Sequence, residues 1–279
     1  MSNQPPVSLD PPRIASLLAL AIPVAAGAAW MWVAKAPAHF PIVNLAALAL
    51  AALWLWFGRG PHTATSRGVL FAALLIIMLS PLVIGPEVRS ITGDAVSRWV
   101  SLGPVALHTG MLFTPALAIL AAHNTRFGPA MLVLAMFTVL LQPDAATGFA
   151  LTFAAVGIHH VTRNWQFGVV AIIGFVASIA MALTGEVKAQ PFVERVLIDA
   201  AQTSILFTVL LALTLLASFC LLLFAVPLSR GARFALAGTL FGFIVMALIS
   251  YYPMPLVGYG AAPILGFGLA MGLHGIRTR

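Results

Sequence analysis

Ten apolar runs follow one another along this chain, and nothing else in it constrains the fold as tightly. They cover residues 14–34, 40–57, 68–84, 100–122, 127–141, 146–161, 167–184, 204–226, 232–252 and 256–276. A helix needs about 20 apolar residues to cross the hydrocarbon core of a bilayer, so the runs read as membrane spans. Charged residues make up 8% of the 279, against about 25% in an average soluble domain. That share cannot cover a water-facing surface. It excludes a soluble globular domain, a disordered chain and a nucleic-acid module. The expected fold class is all-α: a polytopic membrane protein with about ten transmembrane helices in one bundle.

Residues 1–13 are polar and carry Pro5, Pro6, Pro11 and Pro12, which reads as a disordered cytoplasmic tail ahead of a single transmembrane domain, 14–279. The single cysteine, Cys220, excludes an internal disulfide. The fifth and sixth runs are short and meet at Gln142-Pro143-Asp144. That pair is expected to dip into the bilayer around a polar turn, which is tolerated only where protein or water satisfies its backbone groups.

Ten spans put both termini on one side. Placing them in the cytoplasm leaves Arg13, Arg59, Arg67, Arg126, Arg163, Arg230, Arg233, Arg277 and Arg279 inside. Lys35, Arg89, Arg98, Lys188 and Arg195 then fall outside, a bias that agrees with the positive-inside rule. The net charge of +7 thus reports topology. The acids are more lopsided: Glu87, Asp94, Asp144, Glu186, Glu194 and Asp199 all fall outside, with only Asp10 inside. Acids contribute little to insertion, so the outer face is expected to be the active one.

Three segments carry a resemblance. They are Gly93-Asp94-Ala95-Val96-Ser97-Arg98-Trp99-Val100-Ser101-Leu102-Gly103-Pro104, then Leu141-Gln142-Pro143-Asp144-Ala145-Ala146-Thr147, then Pro255-Leu256-Val257-Gly258-Tyr259-Gly260. In this order, with three spans before the first and one after the last, they resemble the SEDS family (shape, elongation, division and sporulation; RodA/FtsW-like membrane proteins), of which this chain looks like a divergent and shortened member. The resemblance implies a bacterial inner-membrane protein of peptidoglycan synthesis, in cell shape or cell division, that acts on a lipid-linked precursor (lipid II); no cofactor or metal is expected. It also implies a class B penicillin-binding protein as partner. Substrate-binding positions carried over are Arg98, Trp99, Gln142, Asp144 and Tyr259, with Gly103, Pro143, Pro255 and Gly260 as structural motif positions.

The departures are equally specific. His108 stands where the family has a buried polar glutamine, and Thr114 where it has a lysine. The large external loop is reduced to residues 185–203, and the aspartate that the family places there, thought to be its catalytic base, aligns with Val196.

Joining sugars on a lipid pyrophosphate needs a base for a sugar hydroxyl, and cations or dipoles for the departing pyrophosphate. Asp199 is the nearest substitute for the base, three residues after Val196 and on the same face if the stretch is helical. Its alternative is a simple pair with Arg195. Glu194 lies on another face of such a helix. Asp144 is expected to cap the next helix, although an acid at membrane depth defaults to a functional suspect. Arg98 and Trp99 are either an interfacial anchor or a bidentate pyrophosphate site. The seven histidines offer no metal-ligand spacing beyond adjacent His159-His160. Trp30, Trp32, Trp54 and Trp56 read as interface belts.

Two function classes follow: a glycan polymerase of lipid-linked precursor, with Asp199 as a displaced base, or a non-catalytic paralogue that binds precursor or a wall-synthesis partner. A lipid flippase rests on polytopic architecture alone.

Overall fold

The computed structural model describes residues 11–274 except Pro104, and the side chains from Arg13 onward. Most of the expected tail, Arg277, Arg279 and the end of the last run lie outside these residues. The chain is an all-α polytopic membrane protein. Seven helices are long and apolar enough to cross a membrane: Arg13–Val33, His39–Phe57, Ala64–Ile84, Ala145–Thr162, Trp165–Gly185, Ile205–Phe224 and Arg230–Ile249. Thr109–Ala122, Gly128–Leu140 and Ala261–Met271 are apolar but shorter.

In chain order the helices are α1 (Pro11–Val33), α2 (His39–Phe57), α3 (Ala64–Met78), α4 (Pro81–Ile84), α5 (Thr109–Ala122), α6 (Gly128–Leu140), α7 (Ala145–Thr162), α8 (Trp165–Gly185), α9 (Val196–Thr203), α10 (Ile205–Phe224), α11 (Arg230–Ile249) and α12 (Ala261–Met271). Between α4 and α5 lie two antiparallel pairs, β1 (Val88–Arg89) with β2 (Ala95–Val96) and β3 (Trp99–Leu102) with β4 (Val105–His108). Helix starts follow capping chemistry. Thr63 and Ser66 form a reciprocal capping box at α3, and Ser229 accepts the Ala232 N–H at α11.

Three runs fold differently from the sequence expectation. Residues 100–108 of the fourth run form a hairpin, not helix, because Gly103 takes a φ of 60° and turns the chain back. The tenth run starts late. Leu256 and Gly260 have φ values of 66° and 156°, so helix is delayed to Ala261. The sixth run is not short: α7 is a full-length span, while its neighbour α6 has 13 residues. At the first run, helix begins at Pro11, so the last three residues of the expected tail belong to α1.

The bundle is built around α7. Over their most apolar stretches, 67% of α7 is buried, against 22% of α10. On its far flank α7 meets α11 through glycines. A Cβ on Gly157 would overlap the Phe234 carbonyl, and one on Gly238 the Phe153 carbonyl. Small residues of this kind let helix backbones approach closely in a membrane, where dispersion and not hydrophobic burial drives association.

The two ends of the bundle differ. At one end short loops join the helices and carry arginines: Arg13 reaches the Trp56 carbonyl at 3.2 Å, and Arg233 reaches the Phe224 carbonyl at 2.8 Å. At the other, the hairpins and the segments 186–204 and 250–260 fold over the helix ends. Glu186 ties two of these together, accepting from Ser250 Oγ at 2.6 Å and from the Tyr251 N–H at 2.9 Å. The motif-bearing residues lie at this second end.

Candidate functional site

Two of the three motif segments meet in a buried charge cluster. Arg98 leaves the strand region just before β3, and Asp144 caps α7 by accepting the Thr147 N–H at 3.2 Å and the Thr147 hydroxyl. The Arg98 guanidinium lies 3.8 Å from Asp144 Oδ1, and the His108 ring 3.5 Å from Asp144 Oδ2. Arg98 and Asp144 are 2% and 0% exposed. A pair this deep holds only because each partner compensates the other's desolvation. Tyr252 closes the cluster, its ring 5.0 Å from the guanidinium carbon and its hydroxyl accepting the Ala145 N–H at 3.3 Å.

Arg98 is therefore not an exposed interfacial anchor. Its Nε and Nη2 atoms have no hydrogen-bond partner among the described residues, although both are buried. His108 ends β4 and caps α5, where Nδ1 accepts the Met111 N–H at 3.2 Å. With Nδ1 an acceptor, Nε2 carries the ring proton and faces Asp144. Gln142 is buried beside the cluster and donates to the Met78 carbonyl at 2.6 Å, while its Oε1 has no partner among the described residues. Thr114 is buried, and its hydroxyl has no partner among the described residues.

In front of the cluster lies a cavity of about 230 Å³. Its polar walls are Trp99, His108, Lys188, Gln190, Glu194 and Tyr259, and Val105, Met111 and Met254 give it an apolar flank. The first turn of α12, from Gly260 to Pro263, also lines it. Trp99, Tyr259 and Gly260 thus reach the cavity, while Arg98, Gln142 and Asp144 sit behind it, joined to it through His108. Trp99 stacks edge-on against the His108 ring at 5.5 Å.

The segment bearing Tyr259 is held from both sides. Asn44 of α2 donates to the Gly258 carbonyl at 2.8 Å and accepts the Gly260 N–H at 3.0 Å. The Tyr259 N–H bonds the Phe192 carbonyl at 2.7 Å, and the Tyr259 ring stacks on Phe40 at 3.8 Å. Pro255 opens the segment with a tight turn, its carbonyl accepting the Val257 N–H at 2.8 Å. Pro143 packs against Gly185, where a Cβ would collide with the Pro143 carbonyl. Trp30 is buried against Phe192 and so is no belt residue, whereas Trp32 is exposed.

A shallower polar depression of about 280 Å³ adjoins the cavity, lined by Gln190, Glu194, Arg195, Asp199 and Gln202 among others. Asp199 lies here, on α9, and not in the cavity. Burial raises its pKa and Arg195 opposes the rise. The two form no ion pair within 4 Å among the described residues; the Arg195 guanidinium lies 5.7 Å from the Tyr251 ring centre instead. Val196, where the family's aspartate was expected, is 0% exposed and packed near Gly258.

Glu194 lines both recesses. Placing it on another face of a helix from 194 onward does not hold. Arg195 has a φ of 58°, so α9 starts only at Val196, and Glu194 is extended and bridged to Pro253. It is 8% exposed, and its Oε2 accepts the Gln190 N–H at 2.8 Å. Burial pushes its pKa up to about 7, against the lowering pull of the backbone N–H groups and of Arg98. Lys188 and Glu194 are the cavity charges that motif matching passed over. Both stand in the segment where the resemblance to the family is weakest.

No protein-family model and no curated protein matches this sequence. Among solved structures, a chain from a study of the structural coordination of polymerization and crosslinking by a peptidoglycan synthase complex is similar in fold. The TM-score is 0.60 at 18% identity, over 96% of this chain and 98% of that one. The similarity is one of fold, and it extends over nearly the whole of both chains.

Proposed function

We propose that this chain is a SEDS-like protein of the bacterial inner membrane that takes a lipid-linked peptidoglycan precursor into its cavity and polymerises glycan there, on the periplasmic side. One observation carries the reading: the cavity joins an apolar flank to Lys188, the first turn of α12 and Glu194, at the acid-bearing end of the bundle. A lysine and a helix N-terminus favour a pyrophosphate, and a carboxylate beside them can accept a hydroxyl proton. The fold similarity to a chain of a peptidoglycan synthase complex supports the same reading.

In this reading Trp99 and Tyr259 offer ring faces to sugar or lipid. Arg98 and Asp144 fix His108 from behind, and Gln142 steadies the turn that carries Asp144. The test is a lipid II polymerisation assay on the purified protein, alone and with a class B penicillin-binding protein. Glycan chains in either condition are the expected result, and none in both removes the polymerase.

The second reading is a non-catalytic paralogue that binds precursor or a wall-synthesis partner. The burial of Val196 favours it, because no acid occupies the position where the family's base is expected. Retention of lipid II without polymerisation would distinguish it, and a membrane pull-down that recovers no transpeptidase or division protein would count against it.

A further inference from the structure

The motif-bearing end holds several acids, and their surroundings sort them. Asp144 is consumed by Arg98, His108 and two Thr147 contacts. Glu186 is held by Ser250 and Tyr251. Asp94 accepts from the Thr92 hydroxyl at 2.7 Å on an exposed turn. Asp199 belongs to the depression alone. Glu194 differs from all of these. It lies in the wall common to the cavity and the depression, is nearly buried, and forms no ion pair within 4 Å among the described residues.

The two recesses differ in chemistry. The cavity combines apolar side chains with Lys188 and a helix N-terminus, which suits a lipid-linked pyrophosphate. The depression is lined by Gln190, Arg195, Asp199 and Gln202, groups that hydrogen-bond neutral sugar hydroxyls. A transfer between two such substrates needs its proton acceptor where the recesses meet.

Resting on the polymerase reading, we propose that Glu194 is the catalytic base of the transfer, accepting the proton of a sugar hydroxyl presented from the depression while the donor lies in the cavity. As the hydroxyl oxygen bonds to the donor's anomeric carbon, its proton passes to the Glu194 carboxylate. The bond from that carbon to the pyrophosphate oxygen breaks, and the lipid pyrophosphate leaves with the electron pair. Protonated Glu194 then loses its proton to water. The elevated pKa, about 7, agrees with this role, since a base works best when its pKa lies near the operating pH.

The test uses the full chain with fluorescent lipid II, with and without a class B penicillin-binding protein. Glu194→Gln is expected to lower the polymerisation rate at least about 100-fold, the usual weight of a general base, while lipid II binding and thermal unfolding persist. Glu194→Asp is expected to restore part of the rate, and the wild-type rate to rise with pH through about 7. Asp94→Asn leaves the rate unchanged. Glycan from the wild type together with a Glu194→Gln rate within about tenfold of it would overturn the assignment of Glu194 alone, given the usual weight of a base. So would a rate lost in Asp199→Asn but kept in Glu194→Gln. No glycan from the wild type under either condition overturns the polymerase reading, and this assignment with it.

Discussion

The seam between α7 and α11 and the cavity end of the same two helices are built on opposite principles. Along the seam, glycines bring the backbones together: Gly157 lies against the Phe234 backbone, Gly238 against Phe153 and Gly242 against Phe149. At the cavity end, the N-terminus of α7 carries a buried carboxylate, and the chain leaving α11 runs through Tyr252 into an irregular segment. The seam is held by shape, the cavity end by charge balance and hydrogen bonds. A change that preserves charge should be harmless in one place and not in the other.

Three stability measurements in detergent would break or sharpen that contrast, and the largest effect is expected at the ion pair. Arg98→Ala or Asp144→Ala leaves a buried charge uncompensated and should cost about 3–5 kcal/mol, read as a lower thermal midpoint and folded yield. The double variant Arg98→Ala with Asp144→Ala should lose less than the two single changes added together. Additive losses would mean that the pair is not coupled.

Next comes the seam. Gly238→Leu must displace the Phe153 backbone, and overpacking of this kind costs about 1–3 kcal/mol. An unchanged midpoint would show that α7 and α11 can separate freely. The smallest effect concerns pH. Glu194 has its pKa raised from 4.5 to about 7 by burial, so the folded protein holds a proton that the unfolded chain releases. Its contribution to stability is therefore present below about 4.5 and is lost as pH rises through 7, by about 1–2 kcal/mol once water access is allowed for. Glu194→Gln should flatten that dependence, and an identical pH profile for the two proteins would argue against a buried Glu194.

The helical framework was legible because a membrane leaves little choice: long apolar runs with so few charges must be helices. The hairpin at residues 99–108 was not legible. Its residues are as apolar as a span, and only Gly103, whose positive φ turns the chain back, separates it from the helix that follows. The meeting of Arg98 with Asp144 could be anticipated from motif order but not its depth, since burial of an arginine depends on Tyr252, Trp99 and His108, which come from three separate elements. For Glu194 the expected helical placement fails for a definite reason. A helical face cannot extend back across Arg195, where a single left-handed residue redirects the chain.

The hairpin joins the bundle without slack. Leu107 is still paired with Val100, His108 both ends the strand and caps the next helix, and Thr109 is already helical. A load applied to the strands, by a bound molecule or a neighbouring protein, has no hinge in which to dissipate. It must arrive at α5 as a tilt, and through His108 at the carboxylate of Asp144.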